Sequence, residues 1–439
     1  MIANRVAIIG GGYAGFAAAV TLAGAGRDVT VFEAARTLGG RARRVEAYSA
    51  TVDNGQHLLL GAYAQTLALI RTVHGAGAEH ELLDRRRLCL SEPGVFRLST
   101  PDLPAPFHLA VALLLARGWS WADRQATIAF VRNLRRERFR CDPALTVGLL
   151  LDAQPAAVIR ALWEPLCLAA LNTPIAAASA TLFLNVLAAS FGAHARDSDL
   201  LLPRVDLSSL FPDPAAAYVA DRGGAIRKSA MVNGLEALDD GVILRIGYSE
   251  EQFDAAILAV GPHQLTHLLR DGKSGGERDP RSTLALRQVA AFAYEPIVTV
   301  YLQYPTALGL EHPMQKLDGA PGQWVFDRGQ LDGPAGLAAV VISTDLPSIR
   351  IGHDALAQSI DAQLRRMNPT LQAPTWMQVI AERRATYACS AGLARPAPGM
   401  IAPRLSLAGD YTDPHFPATL EAATRSGVAA AQALLSASA

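Results

Sequence analysis

Charge of either sign is scarce in this 439-residue chain: Asp, Glu, Lys and Arg make up 18% of it, against about 25% in ordinary globular proteins. Lysine is the rarest, at Lys228, Lys273 and Lys316, and 40 Lys+Arg balance 40 Asp+Glu to a net charge of zero. A global basic field is therefore missing, and with it the electrostatic grip that nucleic acid requires. Cysteine is equally sparse. Cys89, Cys141, Cys167 and Cys389 form no CxxC pair and have no companion histidine at ligand spacing, so no metal is expected and buried, reduced thiols are. The opening apolar run, Val6 to Ile9, is too short for the core of a signal peptide. The longest uncharged stretch, 165–193, is interrupted by Asn172, Pro174, Ser179, Thr181, Asn185 and Ser190, and reads as a buried helix pair rather than a membrane span. Internal repeats and low-complexity segments are missing too. What remains is apolar: 50% hydrophobic residues and a mean hydropathy of +0.18. That composition excludes disorder and implies an unusually apolar surface or cavity.

The first forty residues carry the strongest pattern. Arg5-Val-Ala-Ile-Ile9 reads as a buried parallel strand, running into Gly10-Gly-Gly12-Tyr13-Ala14-Gly15 and a helix over Phe16–Ala25. A Gly-x-Gly-x-x-Gly between strand and helix binds dinucleotides for physical reasons. Gly10 permits the turn, Gly12 lets backbone approach a pyrophosphate, and Gly15 lets helix pack on strand. A second strand, Asp28–Phe32, ends in Glu33 and Ala34, where the carboxylate can accept bonds from both ribose hydroxyls and disfavours a 2′-phosphate. Leu38-Gly39-Gly40-Arg41 then resembles the Gly-Gly-Arg element of the amine-oxidase-like FAD flavoproteins, which makes FAD the expected cofactor.

The chain's far end has the matching half. Arg404–Ala408 reads as a strand ending in Gly409-Asp410, followed by a helix opening at Pro417 and running to about Leu435. In the same flavoproteins such an acid meets the ribityl chain or pyrophosphate, so the resemblance implies that role for Asp410. It likewise implies that Ala418, Thr419 and Leu420 present backbone N–H groups to the flavin's pyrimidine end, and that Val232 cups the adenine. Residues 223–232 and 253–261 read as further strands of the nucleotide domain, with a hairpin strand at 241–246 between them and a solvent loop at 272–280.

The expected fold is α/β: a Rossmann-like FAD-binding domain built from discontinuous segments (1–85, 205–265 and 395–439), with an inserted substrate domain (86–204 and 266–394). The substrate domain should contain a hairpin turning at Glu92-Pro93-Gly94 and a helical part over about 105–200. Strands at 298–302, 323–326, 337–342 and 376–380 should form an antiparallel floor crossed by a helix at 354–367. Phe107–Val131 carries Leu109, Leu113, Leu115, Trp119 and Trp121, and Arg132, Arg135, Arg136, Arg138 and Arg140 follow. An apolar surface beside arginines suits peripheral contact with an anionic membrane from the cytoplasmic side; a core helix followed by one with a solvated basic face is the alternative.

Asp53-Asn-Gly55-Gln56-His57 precedes a long apolar run, and in this topology its loop passes the flavin ring. His57 is thus the candidate proton donor, with a hydrogen-bonded structural histidine as the plain alternative. His263 and His267 read as a helix surface.

Asp53-Asn-Gly-Gln-His-Leu-Leu-Leu-Gly-Ala-Tyr63, Trp163-Glu-Pro-Leu-Cys-Leu-Ala-Ala-Leu-Asn172, Asp206-Leu-Ser-Ser-Leu-Phe-Pro212, Ala408-Gly-Asp-Tyr-Thr-Asp413 and Pro417-Ala-Thr-Leu-Glu421 together resemble one family, the FAD-dependent hydroxysqualene dehydroxylases of bacterial hopanoid biosynthesis. The resemblance spans nearly the whole chain. It implies that hydroxysqualene loses its allylic hydroxyl and gains a hydride from reduced flavin, giving squalene and water. His57 would donate the proton, and Glu421 or Asp413 would orient the leaving group or water. No second glycine-rich nucleotide motif is visible, so the electron donor must bind transiently, as NAD(P)H or as a redox protein. A carotenoid-precursor desaturase, an amine oxidase, or a noncatalytic flavin-bound scaffold of a terpenoid assembly are the alternatives.

Overall fold

A computed structural model describes residues 4–48, 50–269, 279–344 and 350–437. The apolar run Val6–Ile9 is buried at the centre of a six-stranded sheet. Its order is Ala225–Arg227, Asp28–Phe32, Arg5–Ile9, Ala255–Leu258, Leu405–Leu407 and Gly399–Ala402. The first five strands run parallel and the last, which sequence pattern did not signal, runs antiparallel at the edge. Strands buried on both faces need helices over them. The helix Tyr13–Gly24 and the final helix Leu420–Ala437 share one apolar cluster with this sheet.

The segment 223–232 does not form one strand. Ser229 adopts a positive φ of 54°, Ala230 donates to the carbonyl of Glu33, and the chain leaves the main sheet. It re-enters a separate antiparallel sheet of Val232–Ala237, Val242–Ile246 and Ser249–Phe253. Of the loop expected at 272–280, residues 272–278 lie outside the described residues, and the remainder is the start of a helix, Pro280–Ala290, capped by Asp279.

The second layer is a five-stranded antiparallel sheet in the order Met314–Lys316, Trp324–Asp327, Leu337–Ser343, Tyr294–Gln303, Trp376–Tyr387. Alternation along a strand sends successive side chains to opposite faces. Val298, Val300 and Leu302 pack under the helix His353–Met367, against Leu356, Ile360 and Leu364, while Ile297 and Val341 turn to a cavity on the other side.

Between the two blocks of floor-sheet sequence and nucleotide sequence, Leu83–Arg86 pairs with Leu200–Pro203, which pairs with Leu59–Leu60. The intervening chain is largely helical, including Phe107–Leu114, Trp121–Arg136, Glu164–Leu171 and Ala180–Phe191. The last two are the helix pair of the uncharged stretch. Among the described residues no helix is long and apolar enough to cross a membrane. All four cysteines are free; burial pushes the thiols of Cys167 and Cys389 up to about 12 and about 11, so both stay protonated and inert.

Candidate active site

One cavity of about 970 Å³ lies between the two sheets and the helical part. Its nucleotide end is walled by backbone. A Cβ on Gly15 would stand 1.9 Å from the carbonyl oxygen of Gly10, so only glycine allows the helix to leave the strand at this angle. Gly12 faces Gly39 and Gly40 across the cradle, at 3.8 Å from an added Cβ, and the two turns are laced by Gly39 N–H donating to Gly11 O at 2.8 Å. Glu33 is held rigidly at the strand end, accepting from Gly11 N–H and from Ala35 N–H, each at 2.7 Å. Gly10, Tyr13, Ala14, Ala34 and Val232 line the same end.

The Gly-Gly-Arg turn meets the end of the chain here. Arg41 Nη2 donates to Asp410 Oδ1 at 2.5 Å, and its Nη1 to Ala385 O at 2.7 Å. Burial works to lower the Arg41 pKa, but the charge and hydrogen bond of Asp410, with Glu382 behind it, raise it on balance. Gly409, Asp410, Ala418, Thr419 and Leu420 all line the cavity. The final helix begins at Leu420, not Pro417. Thr419 caps it, its Oγ1 accepting from Ala422 N–H at 3.1 Å. The N–H groups of the first turn have no partner inside the helix, and the positive end of its dipole lies at the cavity wall.

The loop Asp53–His57 crosses from this end to the next. Asp53 is buried, accepts from Leu207 N–H at 2.8 Å, and is pushed up to about 7 by burial. Tyr301 of the floor sheet donates to the Asp53 carbonyl at 2.9 Å. Gly55, Gln56 and His57 are in the wall. His57 Nδ1 lies 2.6 Å from Gly55 O, so Nδ1 carries the hydrogen and Nε2 is left as an acceptor. Burial, reinforced by Arg41 and opposed by the Gly55 bond, lowers its pKa. The resting imidazole is therefore neutral and holds no proton at Nε2 to give.

The two carboxylates expected beside it lie elsewhere. Glu421 accepts from the N–H groups of Gln65 and Thr66 at 3.0 and 2.9 Å and from Thr66 Oγ1 at 2.8 Å, holding the start of the helix Ala64–His74. Asp413 accepts from the N–H groups of His415 and Phe416, both at 2.8 Å, and from Arg425 Nε at 2.8 Å. Neither reaches the cavity wall; both are consumed in anchoring loops. His263 and His267 are exposed on the short helix Pro262–Leu268, as a helix surface should be, and because that helix opens directly from the strand end they also border the cavity. Sequence reasoning also gave no role to Asn172, Thr386, Glu382 or Arg384, all of which line the cavity. Only the motif containing Asn172 signalled any of them.

Beyond His57 the wall turns apolar. Leu58, Leu60, Leu88, Leu90, Leu166, Phe183, Val186, Leu187, Phe191, Met314, Trp324 and Phe326 enclose this end. It is a chamber for an apolar body, continuous with a cradle for a dinucleotide.

A fold of two main sheets, with a glycine cradle opening onto an apolar chamber, defines a flavin-dependent oxidoreductase. The chain belongs to the flavin containing amine oxidoreductase family, which it matches over residues 13–435, and FAD is its cofactor. It is 30% identical to hydroxysqualene dehydroxylase of Rhodopseudomonas palustris (strain ATCC BAA-98 / CGA009) over 99% of both chains. It is 27% identical to hydroxysqualene dehydroxylase of Sinorhizobium fredii (strain NBRC 101917 / NGR234), again over 99% of both. Among solved structures, cyclohexylamine oxidase from Brevibacterium oxydans IH-35A has the same fold, with a TM-score of 0.70 at 15% identity over 99% of both chains.

Proposed function

We propose that this flavoenzyme converts hydroxysqualene to squalene and water, removing the allylic hydroxyl reductively. The observation that carries the reading is the continuity of the cavity: a dinucleotide cradle and a long apolar chamber share one space. The full-length likeness to relatives named hydroxysqualene dehydroxylase supports it. Gly10, Gly12, Tyr13, Ala14, Glu33, Ala34 and Val232 would hold the adenosine and pyrophosphate, while Gly15, outside the wall, would serve them by letting the helix pack on the strand. Gly39–Arg41, Gly409, Asp410, Gly55–His57 and Ala418–Leu420 would hold the remainder. FAD, when bound and reduced, supplies the hydride. The carbon–oxygen bond breaks with its electron pair on oxygen, a proton joins that oxygen to release water, and the hydride completes the carbon.

The protein's own contributions are three. The apolar wall excludes water that would recapture an allylic cation. The cradle fixes the reacting carbon's distance from the cofactor. His57 is the titratable group nearest the chamber in sequence, and it can deliver a proton only after acquiring one, because its resting state is neutral. The reductant is proposed to be NAD(P)H or a redox protein that docks transiently.

Of the apolar residues expected on this face, Leu109, Leu113 and Trp119 are buried, but Phe107, Leu115 and Trp121 are 61%, 66% and 58% exposed, and Arg132, Arg136, Arg138 and Arg140 further along the chain are exposed too. We include in the proposal that this surface rests on an anionic membrane, from which a C30 substrate could enter. Sedimentation with anionic liposomes should fall several-fold in Trp121→Ser; an unchanged pellet removes the membrane from the reading.

The deciding experiment for the reaction is a single turnover without oxygen. Chemically reduced holoenzyme is mixed with hydroxysqualene and the extract is identified by mass spectrometry. Squalene together with oxidised flavin is expected. Unchanged hydroxysqualene with flavin still reduced overturns the reading.

A further inference from the structure

Asn172 terminates the helix Glu164–Leu171 in the left-handed conformation, at φ 45°, which asparagine tolerates better than most residues. Its side-chain amide is pinned by both hydrogens. Nδ2 donates to Thr386 Oγ1 at 2.9 Å and to the Pro296 carbonyl at 3.4 Å. The residue is 4% exposed, lines the cavity, and its Oδ1 is buried with no hydrogen-bond partner among the described residues. A buried amide oxygen left without a donor is costly, and native structures rarely tolerate one without a use for it.

Two other wall residues carry buried unpartnered oxygens, Gln56 Oε1 and Ser190 Oγ. Neither is fixed in the same way. A serine hydroxyl within a helix can rotate to donate to the carbonyl four residues back, and Gln56 sits on a loop, its amide held at one point by the neighbouring His57 carbonyl at 3.2 Å. Asn172 can neither rotate without losing two hydrogen bonds nor withdraw from the wall.

We propose that Asn172 Oδ1 accepts a hydrogen bond from the hydroxyl of the substrate and is the residue that selects an allylic alcohol over the corresponding hydrocarbon. The inference rests on the reading of the reaction given above. A neutral acceptor suits an O–H donor in a chamber lined mainly by apolar side chains. Donation by the hydroxyl leaves the oxygen's lone pairs free for the proton that departs with it as water. Hydride replacement then yields a product with no donor, so Asn172 loses its partner at the moment the reaction completes. Product is bound less well than substrate, and exchange is favoured.

The test uses oxidised holoenzyme, which binds but cannot supply hydride. Hydroxysqualene and squalene are titrated separately from detergent micelles, following perturbation of the flavin visible spectrum. Wild-type protein should prefer the alcohol by about 10- to 100-fold, the range expected from leaving one buried acceptor without its donor. Asn172→Gly, which keeps the left-handed turn available, should bind squalene as the wild type does and lose the preference. If that variant loads no flavin, Thr386→Val serves instead: it unpins the amide, leaves the backbone turn intact, and should reduce the preference several-fold. A wild type that binds both compounds equally, or a loaded variant that keeps the full preference, overturns the assignment of Asn172. Failure of reduced wild-type enzyme to form squalene overturns the reaction instead, and is seen in a separate assay.

Discussion

At Gly10, Gly12, Gly39 and Gly40 the cavity wall is glycine main chain, whereas around Phe183 and Leu187 it is side chain. A main-chain wall admits little substitution: at Gly10 and Gly15 a carbonyl bars any Cβ, and at Gly12 a larger side chain would fill the cradle itself. A side-chain wall can be rebuilt from any apolar residues of similar volume. Cofactor binding is thus assigned to the rigid end, and selection among long apolar molecules to the adaptable one.

The sharpest break in this comparison comes at the rigid end. Gly12 and Gly15 should fail in different ways. Gly15→Ala drives a methyl into Gly10 O at 1.9 Å and should cost about 3 kcal/mol or more, seen as loss of soluble protein or a large fall in Tm. Gly12→Val has room for its Cβ, 3.8 Å from Gly39 O, but its branches fill the cradle. It should fold and lack the 450 nm absorbance of bound flavin. A fully yellow Gly12→Val protein would falsify the cradle.

His57 stands where one wall gives way to the other, with Gly55 and Gln56 before it and Leu58 after. If its protonated form supplies the proton, kcat/KM is highest at low pH. It declines as pH rises through a value below histidine's ordinary one, because burial and Arg41 lower the pKa. His57→Ala should lose about 100-fold in turnover and with it that limb of the profile. A wild-type profile flat from pH 5 to 8, or near-normal turnover in the variant, assigns the proton to another source.

At the adaptable end, Leu187→Trp puts an indole into the chamber from the helix Ala180–Phe191. Flavin content should be unchanged while kcat/KM for a C30 substrate falls about 10-fold. Equal loss of flavin and turnover would show the two ends to be one coupled structure.

The same contrast explains what could be read without coordinates. The rigid end is constrained locally, so Gly-x-Gly-x-x-Gly, Glu33, Gly39–Arg41 and Gly409-Asp410 stand out as short patterns with a mechanical cause. The chamber is assembled from leucines near 60 and 90, helices between 164 and 191, and strands between 314 and 341; no local pattern marks apolar residues that meet only after packing. Asn172 lay inside a quoted motif, yet its role depends on Thr386, 214 residues away. Glu421 and Asp413 stand outside the cavity wall, and a carboxylate near a helix start looks the same in sequence whether it faces a ligand or caps a neighbouring loop. Their donors, among them Thr66 and Arg425, are visible only in the fold.

Asp53 belongs to neither wall but supports both, joining the loop that carries His57 to Leu207 N–H and to Tyr301 of the floor sheet. Its folded-state pKa, about 7, lies above the ordinary 3.8 because it is buried. The folded protein therefore binds this proton more tightly than the unfolded chain. The resulting stabilisation is complete below the unfolded value, declines as pH rises from about 4 to 7, and is gone above that. Three units correspond to no more than about 4 kcal/mol. Asp53→Asn keeps an oxygen for Leu207 N–H and removes the titration, so its Tm should vary less between pH 5 and 8 and exceed the wild type's by a few degrees at pH 8. Flavin content and turnover should be unchanged, since Asp53 touches neither end of the cavity. A variant that instead lost turnover at every pH would show that the loop's position, rather than the carboxyl's charge, is what Asp53 controls.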